Sequence, residues 1–156
     1  AFFEMKADAS KISEVLLSEG YPVDWTNLSN MIRPGLLTGK RLNPTKITNA
    51  MNISSTNYTA LKAMLQTNYD FLIVFEDPEI DMNNFIAFCA VNFTGFYAIG
   101  DPAIGVSYIP INYTNTTSID CYEPDFSSIK YDNLVRITRL AVLDSRIVDM
   151  VVYVWD

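Results

Sequence analysis

The sequence predicts an α+β domain in which an N-terminal amphipathic helix and short helices pack on one face of an antiparallel β-sheet that ends in a C-terminal β-hairpin. Helical spacing is confined to the first part of the chain, and β-branched or aromatic runs with period-two alternation follow it. The chain has 156 residues, 49% of them apolar and 13% aromatic, which suffices for one core without a metal or a dense disulfide framework. No internal repeat or linker divides it, so residues 1–156 read as a single domain.

The first helix carries Met5, Ala9, Ile12 and Leu16 on one stripe, with Glu4, Lys11 and Ser18 elsewhere, and is stopped by Gly20 and Pro22. Residues 21–39 are rich in Pro, Gly, Asn and Trp and read as an irregular wrap with a short strand at Leu36-Leu37. Asn43 and Pro44 form an N-cap and first-turn pair: the amide oxygen satisfies a free backbone N–H, and proline has none to leave unpaired. They start a short helix through about Met51. A second helix follows Ser55 or Thr56, turns Tyr58, Leu61, Met64 and Leu65 toward the core, and ends near Thr67.

Strand signals then take over at 69–75, 85–93, 96–99 and 106–111, separated by Asp-Pro and Gly-containing turns. The last two runs, 134–143 and 147–155, flank Asp144-Ser145-Arg146. In the final run Val148, Met150, Val152 and Val154 alternate with Asp149, Val151 and Tyr153, the period of a strand with two different faces.

Six Asn-x-Ser/Thr triplets stand at Asn27, Asn52, Asn57, Asn92, Asn112 and Asn115. Thirteen asparagines, with Ser and Thr at about 15% of positions, would give about two by chance. The excess points to an N-glycosylated protein outside the cell, whereas any one triplet alone reads equally as a polar turn. In that compartment Cys89 and Cys121 are expected to pair, closing a loop of about thirty residues that contributes roughly 3 to 4 kcal/mol. The competing reading leaves both as buried free thiols, with Cys89 in the apolar run 85–91 as part of the core. An exported protein needs a signal, and the chain shows neither a signal peptide nor an apolar run of membrane-spanning length. The expectation is therefore a processed or soluble portion of a longer chain.

A net charge of -7 argues against nucleic acid, because phosphate binding needs clustered Lys and Arg, and the densest basic group, Arg33, Lys40 and Arg41, reads as a solvated loop. The absence of histidine removes Ser-His-Asp and Cys-His nucleophile systems and His-bearing zinc sites, and no phosphate-cradling glycine loop or nucleophile elbow is present. No catalytic residue and no cofactor is assigned. Carboxylates at Glu76, Asp77, Glu79 and Asp81 are numerous enough for paired acid and base work, but a turn between strands explains them better. Asp77, Glu79 and Asp81 also place oxygen ligands at alternate positions, as a calcium loop does, without the glycine and closing glutamate of an EF-hand. Trp25, Tyr21, Tyr97, Tyr108, Tyr113 and Tyr122 form either a platform for sugar rings or part of the core, with Trp25 plugging the irregular loop.

The segment Leu16-Leu17-Ser18-Glu19-Gly20-Tyr21-Pro22-Val23-Asp24-Trp25-Thr26 resembles the "LLxxGYPxxW" segment of archaeal type IV pilin-like envelope proteins. Arg33-Pro34-Gly35-Leu36-Leu37, Arg41-Leu42-Asn43-Pro44-Thr45-Lys46, the stretch 58–65 and Tyr69-Asp70-Phe71-Leu72-Ile73-Val74-Phe75 follow in the order of that group, and 136–155 is similar to its "RxxxLxxxxxxIVxMxVYVW" ending. The resemblance covers both ends well and 76–130 poorly. It implies an upstream prepilin-type signal, a hydrophobic helix of which residues 1–19 are the end, and an extracellular head displayed on a filament or membrane. Its partners are then other pilin-like subunits and the membrane, both through that helix, and a surface glycan or protein for the head. A secreted carbohydrate- or calcium-dependent binding module that does not polymerise is the alternative.

Overall fold

The computed structural model describes residues 2–77, 81–82, 85–86, 89–90, 98–112 and 118–156, with side chains for 2–76, 98–105 and 124–156. Its elements are α1 (Phe2–Leu16), β1 (Leu37–Thr38), β2 (Arg41–Leu42), α2 (Pro44–Met64), β3 (Asp70–Asp77), β4 (Asp81–Met82), β5 (Phe85–Ile86) and β6 (Cys89–Ala90). They continue as β7 (Ala98–Gly100), β8 (Gly105–Asn112), β9 (Ser118–Asp125), β10 (Leu134–Leu143) and β11 (Arg146–Trp155). The architecture is α+β.

Among the described residues the main sheet runs β1-β2-β10-β11-β3-β6, with β7 also on β3. β10 and β11 pair antiparallel from Leu134↔Trp155 to Leu143↔Arg146 across a two-residue turn. Asp144 opens that turn at φ 54°, a left-handed conformation that Asp and Asn adopt more readily than other side chains. β11 pairs β3 antiparallel from Trp155↔Asp70 to Asp149↔Glu76, and β7 and β6 follow one another along the far edge of β3. Gly39 and Lys40, at φ 58° and 68°, supply the two positive angles of a tight turn between β1 and β2. The sheet departs from the expected antiparallel form at one junction: β2 meets β10 parallel, through Leu42↔Leu143. Because β1 and β2 fold back on each other before joining, the strand left to meet β10 runs the same way as it does.

Alternation decides which side of the sheet is covered by helix. Phe71, Ile73 and Phe75 of β3, Val135, Ala141 and Leu143 of β10, and Val148, Met150, Val152 and Val154 of β11 share one cluster with Met5, Ala9, Ile12 and Leu16 of α1 and Ile47, Ala50 and Leu61 of α2. Both helices therefore cover the same face. Burial of each large aliphatic or aromatic side chain there contributes about 1.5 to 3 kcal/mol. The opposite parity, Leu72, Val74, Val151 and Trp155, forms a second cluster closed by Phe126, Ile129, Ala98 and Ile104. Phe126 meets the rings of Trp155 and Tyr153 at 5.5 and 5.0 Å.

Where two helices are expected, one through about Met51 and one after Ser55 or Thr56, the chain keeps helical geometry over Pro44–Met64 with one break at Asn57 (φ -151°, ψ 65°). The break restarts the helix locally: the Asn57 side-chain oxygen accepts from the Ala60 N–H at 3.2 Å, as an N-cap does. The Asn43 cap forms as expected, its oxygen accepting from the Thr45 N–H at 2.9 Å. Among the described residues no helix is long and apolar enough to cross a membrane.

Candidate functional site

Two neighbouring features concentrate the residues that the sequence singles out. The first is a clasp at the end of α1. The last turn of a helix leaves carbonyls without intrahelical donors. Here the following wrap supplies them: Leu36 N–H donates to the Leu16 carbonyl at 2.8 Å and Leu37 N–H to that of Ser18 at 3.0 Å. Lys46, in the first turn of α2, is 5% exposed and donates from Nζ to the carbonyls of Glu19 at 2.8 Å and Leu37 at 2.7 Å. Burial pushes its pKa down, opposed by the charges of Glu19 and Asp24.

Gly20 lies in this clasp at φ +79°, where a Cβ would run into the Gly35 nitrogen, the Arg33 carbonyl and the Trp25 indole. A Cβ on Gly35 would overlap the backbone of Gly20 and Ser18 in turn. Trp25 is 1% exposed, and its indole N–H donates to the Gly35 carbonyl at 2.8 Å. Its ring is therefore a plug, and the sugar-platform reading fails at this residue because no face is open to a ligand. Tyr21 is exposed next to it, with Val23 and Ile32. The side chains of Tyr97, Tyr108, Tyr113 and Tyr122 lie outside the described residues.

The second feature is a hollow of about 350 Å³ between residues 26–29 and one side of α2. Asn27 and Asn52, each the first residue of a triplet, stand on its opposite walls with Asn49, Thr56, Leu28 and Ile53. No described charged side chain lines it, so its chemistry is that of amides, hydroxyls and two aliphatic groups. Asn27 sits in an exposed turn: its side-chain oxygen accepts from the Ser29 N–H at 3.0 Å and from the Ser29 hydroxyl, while the Asn30 oxygen takes the N–H groups of Thr26 and Asn27. Asn52 is exposed on α2, but Ser54 is buried and its hydroxyl donates to the Met51 carbonyl at 2.9 Å.

Compared with known proteins, the chain matches no protein family, no curated protein and no solved structure. Its own geometry carries the rest. Asn57 is exposed at the break in α2. Asn112 ends β8 with its side chain outside the described residues, and Asn92 and Asn115 lie wholly outside them. The side chains of Asp77, Glu79 and Asp81 also lie outside, and among the described residues no cluster of three acidic or sulfur side chains forms.

Glu76, the one carboxylate of the acidic run with a described side chain, is buried with the Arg136 guanidinium 3.4 Å from its oxygen. That contact ties β3 to β10 across the sheet. Cys89 pairs with Asp77 across β6 and β3, and Cys121 with Ile109 across β9 and β8. The two cysteine-bearing strands, β6 and β9, run close beside one another, while the cysteine side chains lie outside the described residues.

Sequence reasoning did not anticipate Arg139 or Lys46. Arg139 stands on the helix-facing parity of β10 and donates to the hydroxyls of Ser13 and Ser10 on α1, both at 3.2 Å. Its only signal in the sequence is a charge at a position where alternation expects an apolar residue.

Proposed function

We propose that this chain is the extracellular head of an archaeal type IV pilin-like or pseudopilin-like envelope protein, non-enzymatic and displayed on a filament or on the membrane. The observation that carries the reading is the way α1 is used. Its stripe of Met5, Ala9, Ile12 and Leu16 is fully buried on the sheet, yet its leading turn presents Phe2 and Phe3, the latter 86% exposed. Large apolar groups in water at one end of a docked helix suit a helix whose apolar character continues beyond the domain.

The residues of the resemblance also act together. Gly20, Trp25, Gly35 and Lys46 build one clasp that fixes the end of α1 against the sheet, and the C-terminal β-hairpin supplies the strands on which α1 rests. The mechanism is mechanical: a hydrophobic helix packs among its copies or in the bilayer, and the clasp holds the head rigidly on it. An acidic surface, net charge -7, keeps copies of the head apart. Partners are then other pilin-like subunits and the membrane, both through the helix, with a surface glycan or protein as the ligand of the head and no nucleic acid.

Fractionation of the producing cells, followed by top-down mass spectrometry of the native protein, tests this reading. The expected result is recovery from the envelope fraction with a hydrophobic stretch of about 20 residues ahead of Ala1. Recovery of the native protein from the cytosol would overturn it.

A further inference from the structure

The three triplets whose side chains are described differ sharply in conformation, although the sequence makes them equivalent. A triplet is read by a transferase as an open three-residue segment with the asparagine amide and the Ser or Thr hydroxyl both within reach. Asn27-Leu28-Ser29 meets that requirement as it stands. It lies outside any helix, Asn27 and Ser29 are exposed, and the Ser29 hydroxyl already meets the Asn27 side-chain oxygen. One Nδ2–H faces the Thr26 hydroxyl at 3.4 Å, at the edge of hydrogen-bonding distance.

The other two do not meet it. Asn52-Ile53-Ser54 is three residues of continuous helix, Ile53 is 6% exposed within the core cluster, and the Ser54 hydroxyl is buried and committed to Met51. Asn57-Tyr58-Thr59 runs into the restarted helix. The Tyr58 hydroxyl there donates to Asp70 Oδ1 and accepts from the Phe71 N–H, both at 3.0 Å. Opening either segment requires local unfolding of α2 and withdrawal of a residue from the packed face.

We infer that Asn27 is the N-glycan carrier among these three asparagines, that Asn52 and Asn57 stay unmodified, and that the first sugar of the Asn27 glycan occupies the hollow shared with Asn52. The inference rests on the extracellular reading above. In the transfer, Asn27 Nδ2 forms a bond to the anomeric carbon of a sugar activated as a polyprenyl phosphate ester. The bond from that carbon to the phosphate oxygen breaks, the phosphate leaves with the electron pair, and one Nδ2 proton passes to a base of the transferase. Asn27 keeps its side-chain oxygen, so the turn with Ser29 survives modification. The hollow, about 350 Å³, has room for a hexose-sized ring, with Asn49, Asn52 and Thr56 to bond its hydroxyls and Leu28 and Ile53 against its apolar face.

The test is site-by-site glycopeptide mass spectrometry on the native full-length protein, alongside a Ser29→Ala variant expressed in the same cells. Occupancy at Asn27 should exceed that at Asn52 and Asn57 by about tenfold or more, the ratio set by how rarely α2 opens. Ser29→Ala should remove the Asn27 glycan from a protein that still folds, with the far-UV circular dichroism of the parent. An envelope-located protein with Asn27 bare, or with Asn52 or Asn57 occupied as fully as Asn27, overturns the inference and leaves the head-domain reading standing. A native protein found in the cytosol overturns both.

Discussion

Gly20 and Gly35 pass so closely that neither has room for a side chain: a Cβ on either would collide with the backbone nitrogen of the other. The two glycines are fifteen residues apart in the chain, and their crossing is what lets the wrap reach back and satisfy the carbonyls of Leu16 and Ser18. Gly35→Ala should therefore displace backbone rather than a flexible side chain, and cost about 3 kcal/mol or more. Thermal melting should show a drop of roughly 6 to 12 °C for a chain of this length. A melting temperature equal to the parent's would show that the crossing is not tight.

Lys46→Met keeps the apolar stem but removes both donors from the Glu19 and Leu37 carbonyls. Leaving buried acceptors unpaired should cost about 2 to 4 kcal/mol near neutral pH, measured by denaturant unfolding. Burial lowers the folded-state pKa of Lys46 below 10.5. Between that lowered value and 10.5 the unfolded chain binds more protons than the folded one, so this group adds stability as pH rises. The parent should accordingly gain on Lys46→Met across that alkaline window, and a constant difference would contradict the assignment.

Tyr58 works in the opposite sense. Burial, opposed by the Phe71 N–H that it accepts and reinforced by Asp70, pushes its pKa well above the ordinary value of 10.0. Above pH 10 the unfolded chain therefore loses a proton that the folded chain keeps, and stability falls with rising pH at up to about 1.4 kcal/mol per unit. Tyr58→Phe should lower stability at neutral pH by about 1 kcal/mol and flatten the alkaline decline. Equal alkaline slopes for the two proteins would exclude Tyr58 as the cause.

Trp25→Ala removes a buried indole and the donor to the Gly35 carbonyl. Truncation of a buried tryptophan should cost about 3 to 5 kcal/mol. The variant should melt early, and its loss should appear as instability; a variant with unchanged melting and altered sugar binding would reverse the role given to this ring.

Cys89 and Cys121 stand on strands that run side by side. Pairing predicts an intact native mass two hydrogen atoms below that of the reduced chain, and a loss of roughly 3 to 4 kcal/mol on replacing both by serine. Two alkylatable thiols in the native protein, without reduction, would refute the bridge.

The elements that were legible share one property: the pattern that marks them is local. Met5, Ala9, Ile12 and Leu16 recur at helical spacing, and all four are fully buried. Asn43 and Pro44 sit one residue apart, and the cap forms there. The run 134–143 and the alternation of Val148, Met150, Val152 and Val154 mark β10 and β11, whose inner parity meets the helices. β9 was not anticipated because Ser118–Asp125 mixes acidic residues, proline and cysteine, and only its register against β8 makes it a strand. The expected gap between two helices, from about Met51 to Ser55 or Thr56, shrank to Asn57, because one residue with a capping side chain is enough to restart a helix.

By itself, the sequence determined the α+β class, the face that α1 buries, the cap of α2 and the positions of the triplets, since each depends on residue type and short-range spacing. Tertiary structure alone decided that β2 joins β10 in parallel, that Lys46 closes the end of α1, that Trp25 is a plug, and that the Asn27 and Asn52 triplets differ. The physical reason is that hydrogen-bond partners distant in the chain, such as Lys46 with Glu19 or Trp25 with Gly35, leave no periodic trace: their pairing is set by where the packed helices and sheet bring the backbone.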